Sequence, residues 1–222
     1  MSRKINDGLV ITNERCIGCN KCIYSCPVMG ANISDKGNLK VNVVSNKCIH
    51  CGNCIKSCKI EAREYSDDIG VFFEKLQSGK KISLLVDPDF WYSYGPKANE
   101  ILEYLKSLGV DKIYDVGFGG DISIWAHMKY LIDNHDNPNR AFIAHTCSSA
   151  INFFEQERPE FLEKVIPVQT PLMSTAIYVK KYLRDGNLLA YISPCVSVWD
   201  EMREFSNRGL VDMNVTIGHL MD

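Results

Sequence analysis

The sequence predicts a small α+β domain over residues 1–66, a connecting helix over 67–79, and a larger α/β domain with a mostly parallel sheet over 80–222. Two observations lead to this fold class. A motif of four cysteines occurs twice in the first 60 residues, which favours a compact unit organised around metal rather than around a large apolar core. After Asp67, strand-length apolar runs alternate with helix-length amphipathic segments, as in crossover units of a parallel sheet.

The composition is that of a globular chain able to bury a sizeable core: of 222 residues, 45% are apolar and 23% charged, with a net charge of −2. No apolar run approaches the length of about 18 residues that indicates a membrane span. The basic start is not followed by the apolar segment of a secretory signal. Ten cysteines in such a chain favour metal binding over disulfides, so we expect a cytoplasmic protein that does not contact a membrane.

The cysteine motif has the spacing C-x2-C-x2-C-x3-C and repeats after 32 residues. This spacing is typical of ligands to cubane iron–sulfur clusters, whereas zinc sites use separated cysteine pairs. In chains with two such runs, the fourth cysteine of each run binds the cluster of the other run. The motif therefore predicts two [4Fe-4S] clusters: Cys16, Cys19, Cys22 and Cys58 bind one, and Cys48, Cys51, Cys54 and Cys26 bind the other.

Residues 6–65 resemble the bacterial-type 2[4Fe-4S] ferredoxins, which implies a ferredoxin-like fold for the first domain. Pro27 closes the first motif as in that family, while Lys59 stands where a second proline is usual. The segment 32–43 is predicted to form a hairpin-like connection that turns at Lys36-Gly37-Asn38. His50, inside the second motif, is expected to pack or to donate a hydrogen bond to sulfide rather than to bind iron.

The elements of the second domain follow in order along the chain. Helices are predicted for DDIGVFFEKLQSGK, PKANEILEYLKSLG, DISIWAHMKYLIDNH, SAINFFEQERPEFLEKV, PLMSTAIYVKKYLRDG and SVWDEMREFSNRG, from apolar spacing and from glycine or proline at their ends. Strands are predicted for KISLLVDP, DKIYDVGF, RAFIAHT, LLAYISP and LVDMNVTIG, which are short apolar runs bounded by turn residues.

Two cysteines remain, and each follows a predicted strand: Cys147 comes after RAFIAHT and Cys195 after LLAYISP. Ligands of parallel sheets bind at the carboxyl ends of the strands, so the two sulfurs are expected to point into one cavity and to form a third site. The alternative is that both are unrelated core thiols, since free cysteine is usually a small buried apolar residue.

Residues 80–222 resemble the catalytic domain of the [FeFe]-hydrogenase large subunit, and above all its diverged, sensory-type members. The segments that match, in the order of that family, are VDPDFWYSYG, YDVGFGGDI, AHTCSSAINFFEQERPEFL, TPLMSTA and SPCVSVWDEM. The resemblance implies that Cys147 and Cys195 correspond to two ligands of the [4Fe-4S] half of the catalytic cluster. The other two ligands come from a later C-x3-C motif, and the sequence stops before such a motif.

Several positions that serve catalysis in that family carry other residues here. Thr146 matches the cysteine that relays protons, Val198 matches the lysine that contacts the di-iron site, and Ser193 matches a methionine. Leu172-Met173 replaces the glutamine after the Thr-Pro element. The resemblance therefore implies no hydrogen chemistry, and we expect no catalytic residue.

These observations predict an electron-transfer protein whose two clusters relay single electrons to a degenerate hydrogenase-like domain that serves as a docking or redox-sensing module. The alternative is a fragment of an [FeFe]-hydrogenase or hydrogen sensor whose remaining ligands lie beyond Asp222. The expected partner is a redox protein (a ferredoxin, a flavodoxin or an oxidoreductase), and homo- or hetero-oligomers are left open. Nucleic acid is not expected as a partner, because the basic group of Lys180, Lys181 and Arg184 is typical of a solvated helix face.

Overall fold

The computed structural model describes residues 8–34, 37, 39–136 and 141–222. Lys36 and Asn38, which the sequence places at the tip of the hairpin, lie outside the described residues. The two strands that flank this tip do pair: β2 (Asn32–Ser34) is antiparallel to β3 (Val41–Val43).

The N-terminal part is a small α+β unit with two short antiparallel sheets. β1 (Val10–Thr12) pairs with β4 (Arg63–Tyr65), so the two ends of this unit lie side by side. The short helices α1 (Lys21–Tyr24) and α2 (Asn53–Lys56) each carry the third cysteine of one motif and contact each other. A 3₁₀ helix spans Ser45–Lys47.

The two cysteine motifs are related by an approximate two-fold symmetry. Ser25 and Ser57 occupy equivalent positions, and their hydroxyl oxygens lie 3.0 Å apart. Each hydroxyl also donates to the carbonyl of the third cysteine in its own motif, Cys22 or Cys54. The sequence repeat is therefore also a structural repeat.

The rest of the described chain forms an α/β unit around a four-stranded parallel sheet in the order β6-β5-β7-β8. Its strands are β5 (Ile82–Val86), β6 (Val110–Asp115), β7 (Leu188–Ser193) and β8 (Met213–Thr216). Its helices are α3 (Ile69–Gln77), α4 (Pro88–Tyr94), α5 (Lys97–Ser107), α6 (Gly117–Asp133), α7 (Ser148–Glu157), α8 (Pro171–Ile177), α9 (Val198–Arg203) and α10 (Ile217–Met221). A 3₁₀ helix follows α7 at Pro159–Lys164, and α8 continues as a π-helix at Tyr178–Tyr182.

Both faces of this sheet are covered by helices, as the apolar strands predict. On one face, Ile82 and Leu84 of β5 pack with residues of α3 and α5. On the other face, Leu85 packs with residues of α8 and α9. Successive side chains of a strand point to opposite faces, so a strand covered on both sides has no polar face and reads as one continuous apolar run.

One predicted strand is not part of the sheet. The segment RAFIAHT was expected to be a strand, but its described residues, 141–146, contribute one parallel bridge, between Ile143 and Val165. An apolar run of this length can also pack in an extended loop, which periodicity does not distinguish from a sheet strand. Cys147 therefore lies after an extended segment outside the four-stranded sheet.

The two units are joined by polar and apolar contacts. Asp68, just before α3, receives a hydrogen bond from the backbone N–H of Asn214 in β8 at 2.8 Å. Leu9 near β1 and Tyr65 of β4 pack with Val196 and Trp199, which lie in and before α9. Within the described parts of the chain, every helix is too short or too polar to span a bilayer.

Candidate metal centres

The first three cysteines of the first motif line a small cavity together with the last cysteine of the second motif. We call this set, made up of Cys16, Cys19, Cys22 and Cys58, the first thiol group. The cavity is also lined by Ile17, Val41, Ile60 and Ala62, of which Val41 and Ala62 are buried. The structure thus brings Cys58 to the cavity of the other motif, which is the geometry that crossed ligation requires.

The backbone around each motif turns through left-handed conformations at equivalent positions. Gly18 and Asn20 have φ of 67° and 61° in the first motif, and His50 and Gly52 have φ of 56° and 75° in the second. Such turns direct successive backbone N–H groups toward one point, and these nests bind anions, including iron–sulfur clusters. Gly18 is also required by space, since a Cβ there would lie 2.4 Å from the carbonyl oxygen of Leu39.

The remaining four motif cysteines form the second thiol group: Cys26, Cys48, Cys51 and Cys54. Burial raises the pKa of the Cys48 thiol to about 11, and the nearby Cys51 and Cys26 raise it further. Burial likewise raises the pKa of the Cys51 thiol. Because iron binds thiolates, loading this group must release protons that the buried thiols otherwise retain.

Both thiol groups fit cubane clusters better than single ions. Among the described residues, no three His, Cys, Asp or Glu side chains converge closely enough to hold one metal ion. A zinc ion would need its sulfurs about 2.3 Å from one point, whereas a cubane is held at its corners by separated thiolates. No structural observation tests the individual ligand assignments, which stay predictions from the sequence.

Arg63 of β4 is a buried cation beside both thiol groups, with 5% of its surface exposed. Its Nη2 donates to the sulfur of Cys22 at 3.2 Å and to Oδ1 of Asn32 at 2.7 Å, and its Nη1 donates to Thr12 at 2.7 Å. Burial raises the pKa of the Cys54 thiol to about 12, and the charge of Arg63 opposes this shift. The guanidinium is therefore held by neutral acceptors and faces sulfur.

The second motif is joined to the hydrogenase-like part of the chain by a buried polar contact. The His50 ring, 2% exposed, places Nδ1 2.7 Å from Oδ2 of Asp200 in α9. Asn152 of α7 donates to the same carboxylate oxygen at 2.6 Å. Phe153, also in α7, packs together with Cys26 and Cys51 against a buried apolar cluster of the first unit. His50 is thus buried and hydrogen-bonded, and its partner is a carboxylate of the second unit rather than the cluster sulfide that the sequence suggested.

Cys147 and Cys195 have different surroundings. Cys147 is exposed at the N-cap position of α7, and it lies near enough to Cys51 to raise the pKa of that thiol slightly, after the larger effects of burial and of Cys26. Cys195 follows β7, and its sulfur lies 3.0 Å from the hydroxyl of Ser197. Cys147 thus lies beside the second thiol group, and a site shared with Cys195 stays a prediction.

The positions that the sequence resemblance predicts to depart from the hydrogenase pattern have local structural roles. Ser193 is fully buried and donates to Oδ1 of Asn214 at 2.6 Å. Val198 packs against the apolar cluster on the α8 face of the sheet, and Leu172 and Met173 belong to that cluster. Thr146 is exposed. These side chains offer no group that titrates near neutral pH.

A cleft of about 320 Å³ lies between α7, α9 and the segment before α8. His145 and Glu201 line it. Burial lowers the pKa of His145, and the neighbouring His127 lowers it further. Burial raises the pKa of Glu201, although hydroxyl groups of Thr170 and Ser148 donate to its carboxylate and oppose the shift.

Comparisons with known proteins agree with both parts of this architecture. Residues 8–59 match the model of the 4Fe-4S dicluster domain. Residues 81–222, more than half of the chain, match the model of the iron-only hydrogenase large subunit, C-terminal domain. The chain belongs to the iron-only hydrogenase large subunit family. Both resemblances found in the sequence are therefore confirmed at the level of the family.

Two solved [FeFe]-hydrogenases share the fold of this family member. One comes from work on oxygen inactivation through the 2Fe subcluster of the H cluster; it is 19% identical, with a TM-score of 0.58 over 68% of this chain and 45% of its own. The other is an apo enzyme variant from Chlamydomonas reinhardtii, 21% identical, with a TM-score of 0.53 over 62% of this chain and 40% of its own. This hydrogenase-family chain thus matches less than half the length of either enzyme.

Sequence reasoning missed two residues of the site. Arg63 lies five residues after Cys58, and the equivalent position after Cys26 is Ala31, so comparing the two repeats could have singled it out. Asp200 gave no such signal, because it is 150 residues from its partner His50 and only the fold brings the two together.

Proposed function

We propose that this chain is an iron–sulfur electron-transfer protein that holds two [4Fe-4S] clusters. The clusters supply one-electron exchange, and the hydrogenase-like domain serves as a docking or redox-sensing module. The proposal rests on family membership together with the two thiol groups, each beside anion-binding backbone turns, and with the buried cation Arg63, which contacts the first of them. A redox protein such as a ferredoxin, a flavodoxin or an oxidoreductase is the partner this chemistry suits.

The proposed relay of electrons is supported mainly by the contact of the second motif with α7 and α9. His50 is held by Asp200, and Asp200 is held by Asn152. A buried network of this kind fixes the distance between the units, because both partners must be desolvated and correctly oriented. The chain's own residues thereby hold the second motif against the hydrogenase-like domain.

The second candidate is part of a hydrogenase or hydrogen sensor, in which further polypeptide completes the site at Cys147 and Cys195. This candidate is favoured because the chain matches only 45% and 40% of the length of the two hydrogenases. Two thiols supply half of the four ligands that a cubane needs. Completion would require two more ligands from outside these residues.

Iron content and infrared spectra separate the two candidates. The protein is purified without oxygen, and iron and acid-labile sulfide are measured per chain. About eight irons, as two cubanes require, with no bands from CO or CN ligands support electron transfer. About twelve or more irons with such bands would establish the hydrogenase-like candidate, and four or fewer irons would contradict both.

A further inference from the structure

Arg63 breaks the two-fold symmetry of the cluster-binding unit. The positions Gly18 and Asn20 of the first motif correspond in conformation to His50 and Gly52 of the second. Arg63 has no such counterpart, because the equivalent position carries Ala31, which is also buried. Among the described residues, Arg63 is the one lysine or arginine in the buried class.

Arg63 makes its direct contact with the first of the two thiol groups. Its guanidinium lines the cavity of the first thiol group and donates directly to Cys22. Its effect on the second group, at Cys54, is electrostatic, and no hydrogen bond joins the two in the described residues. A hydrogen bond to a charged acceptor in a buried site is stronger than a charge acting over a longer distance.

The second motif has a carboxylate nearby as well. Oδ2 of Asp200 lies 2.7 Å from Nδ1 of His50, which is two residues after Cys48, and it also accepts a hydrogen bond from Asn152 at 2.6 Å. The side chain of Asp200 is 9% exposed, so solvent screens its charge weakly. Arg63 thus contacts the first thiol group directly, whereas the buried carboxylate of Asp200 lies beside the second motif.

We propose that Arg63 gives the cluster of the first thiol group the higher reduction potential, so that a single electron entering the chain resides there, away from α7 and α9. This inference rests on the proposed function. Reduction adds one electron and no proton to a cluster, and a buried cation stabilises the added negative charge. Asp200 acts in the opposite direction on the second cluster, which widens the difference.

The geometry also explains why this position needs arginine. The guanidinium of Arg63 donates to Cys22, Asn32 and Thr12 at once. Asn32 and Thr12 are neutral acceptors, so they hold the guanidinium without cancelling its charge. Lysine has the same charge but is a compact point donor on a flexible stem, so it cannot satisfy all three acceptors in a fixed geometry. Glutamine is neutral and keeps donor groups of similar polarity.

The test is a redox titration of the full chain with both clusters loaded, monitored by EPR with dithionite as the reductant. Wild-type protein is expected to show two one-electron waves separated by at least about 59 mV, a tenfold difference in the equilibrium between clusters. Arg63→Gln should lower the potential of the upper wave, assigned to the cluster of the first thiol group, by about this amount. The potential of the lower wave should change less. Lys56→Gln, which removes an exposed charge of the same unit, should leave both waves in place.

Asp200→Asn removes the negative charge beside the second motif, and it should raise the potential of the lower wave alone. Two wild-type waves at the same potential would contradict the proposal, as would an Arg63→Gln variant in which the lower wave moves most or neither wave moves. If Arg63→Gln does not load iron, the Arg63→Lys variant is titrated in its place. A difference between the two potentials of more than half the wild-type value supports a charge effect, and a smaller difference contradicts it. Wild-type protein with fewer than about eight irons would instead overturn the proposed function itself.

Discussion

Cys58 belongs to the second cysteine motif but lines the cavity of the first. The predicted crossed ligation depends on the fourth cysteine of each motif. The two thiol groups share no cysteine, so the loss of one ligand should open one group and leave the other closed.

Replacing the fourth cysteine of each motif by serine, one at a time, gives a matched pair of variants. Cys58→Ser is expected to expose the thiols of Cys16, Cys19 and Cys22 to alkylation by iodoacetamide under anaerobic conditions, because the cluster that protects them loses a ligand. Cys26→Ser is the control and should expose Cys48, Cys51 and Cys54 instead. Mass spectrometry locates the labelled residues, and labelling of Cys48, Cys51 and Cys54 in the Cys58→Ser variant would show that ligation is not crossed.

Glu201 provides a prediction about pH at the same scale. Burial raises its folded pKa above the ordinary value of 4.5, so the charged form is disfavoured in the folded protein. The stability that the protonated carboxyl contributes is present below about pH 4.5 and is lost as pH rises through the folded pKa. Glu201→Gln keeps a neutral group in the cleft, so its Tm minus that of wild type should increase from pH 4.5 to pH 7. A constant difference over this range would contradict the assigned burial effect.

Elements depend on side chains that lie outside them. β8 is an edge strand of the sheet, and the residues before α3 satisfy the backbone groups on its free side. Asp67 accepts the backbone N–H of Thr216 at 2.8 Å and lies 3.1 Å from Nδ1 of His219. Covering an edge in this way prevents it from pairing with another chain.

Asp67→Ala should weaken this attachment of β8. Removing a carboxylate that receives charged hydrogen bonds and leaving buried donors unpaired is expected to lower the free energy of unfolding by about 3 kcal/mol. Burial raises the pKa of Asp67, but hydrogen bonds from Thr216 and His219 outweigh it, so the folded pKa is lowered. The contribution is therefore present above about pH 3.8 and is lost as pH falls through the lowered value. Urea unfolding at pH 7 and pH 3 measures both effects, with the exposed Asp121→Ala as control; equal losses in the two variants would contradict this role.

The elements were predictable where their pattern is local. The apolar run at Ile82–Val86 and the amphipathic segment at Lys97–Ser107 lie where the sequence predicts them. The segment before Cys147 was predicted wrongly as a sheet strand, because its apolar character reflects packing in an extended loop. The cysteine repeat predicted the chemistry of the site, whereas the contact of His50 with Asp200 depends on docking of two units and has no local pattern.

At the scale of the whole molecule, the positions that the sequence resemblance matches to catalytic residues of the hydrogenase family carry side chains that pack or hydrogen-bond. Val198 and Ser193 serve the core and β8, respectively. Proton transfer requires a titratable group within hydrogen-bonding reach, and the exposed Thr146 hydroxyl does not titrate near neutral pH. We therefore expect no hydrogen evolution from this chain, even after a synthetic di-iron complex is supplied with dithionite and methyl viologen. Gas chromatography against a cluster-free control measures this, and turnover clearly above the control would contradict it.

The central claim is that two one-electron centres lie in the N-terminal unit of this hydrogenase-family chain. Quantitative EPR of the fully reduced, anaerobically prepared protein tests it most directly. The account predicts about two spins per chain, with signals broadened by magnetic interaction because both thiol groups lie within one small unit around Ser25 and Ser57. One spin per chain, or no cluster signal together with stoichiometric zinc, would contradict it.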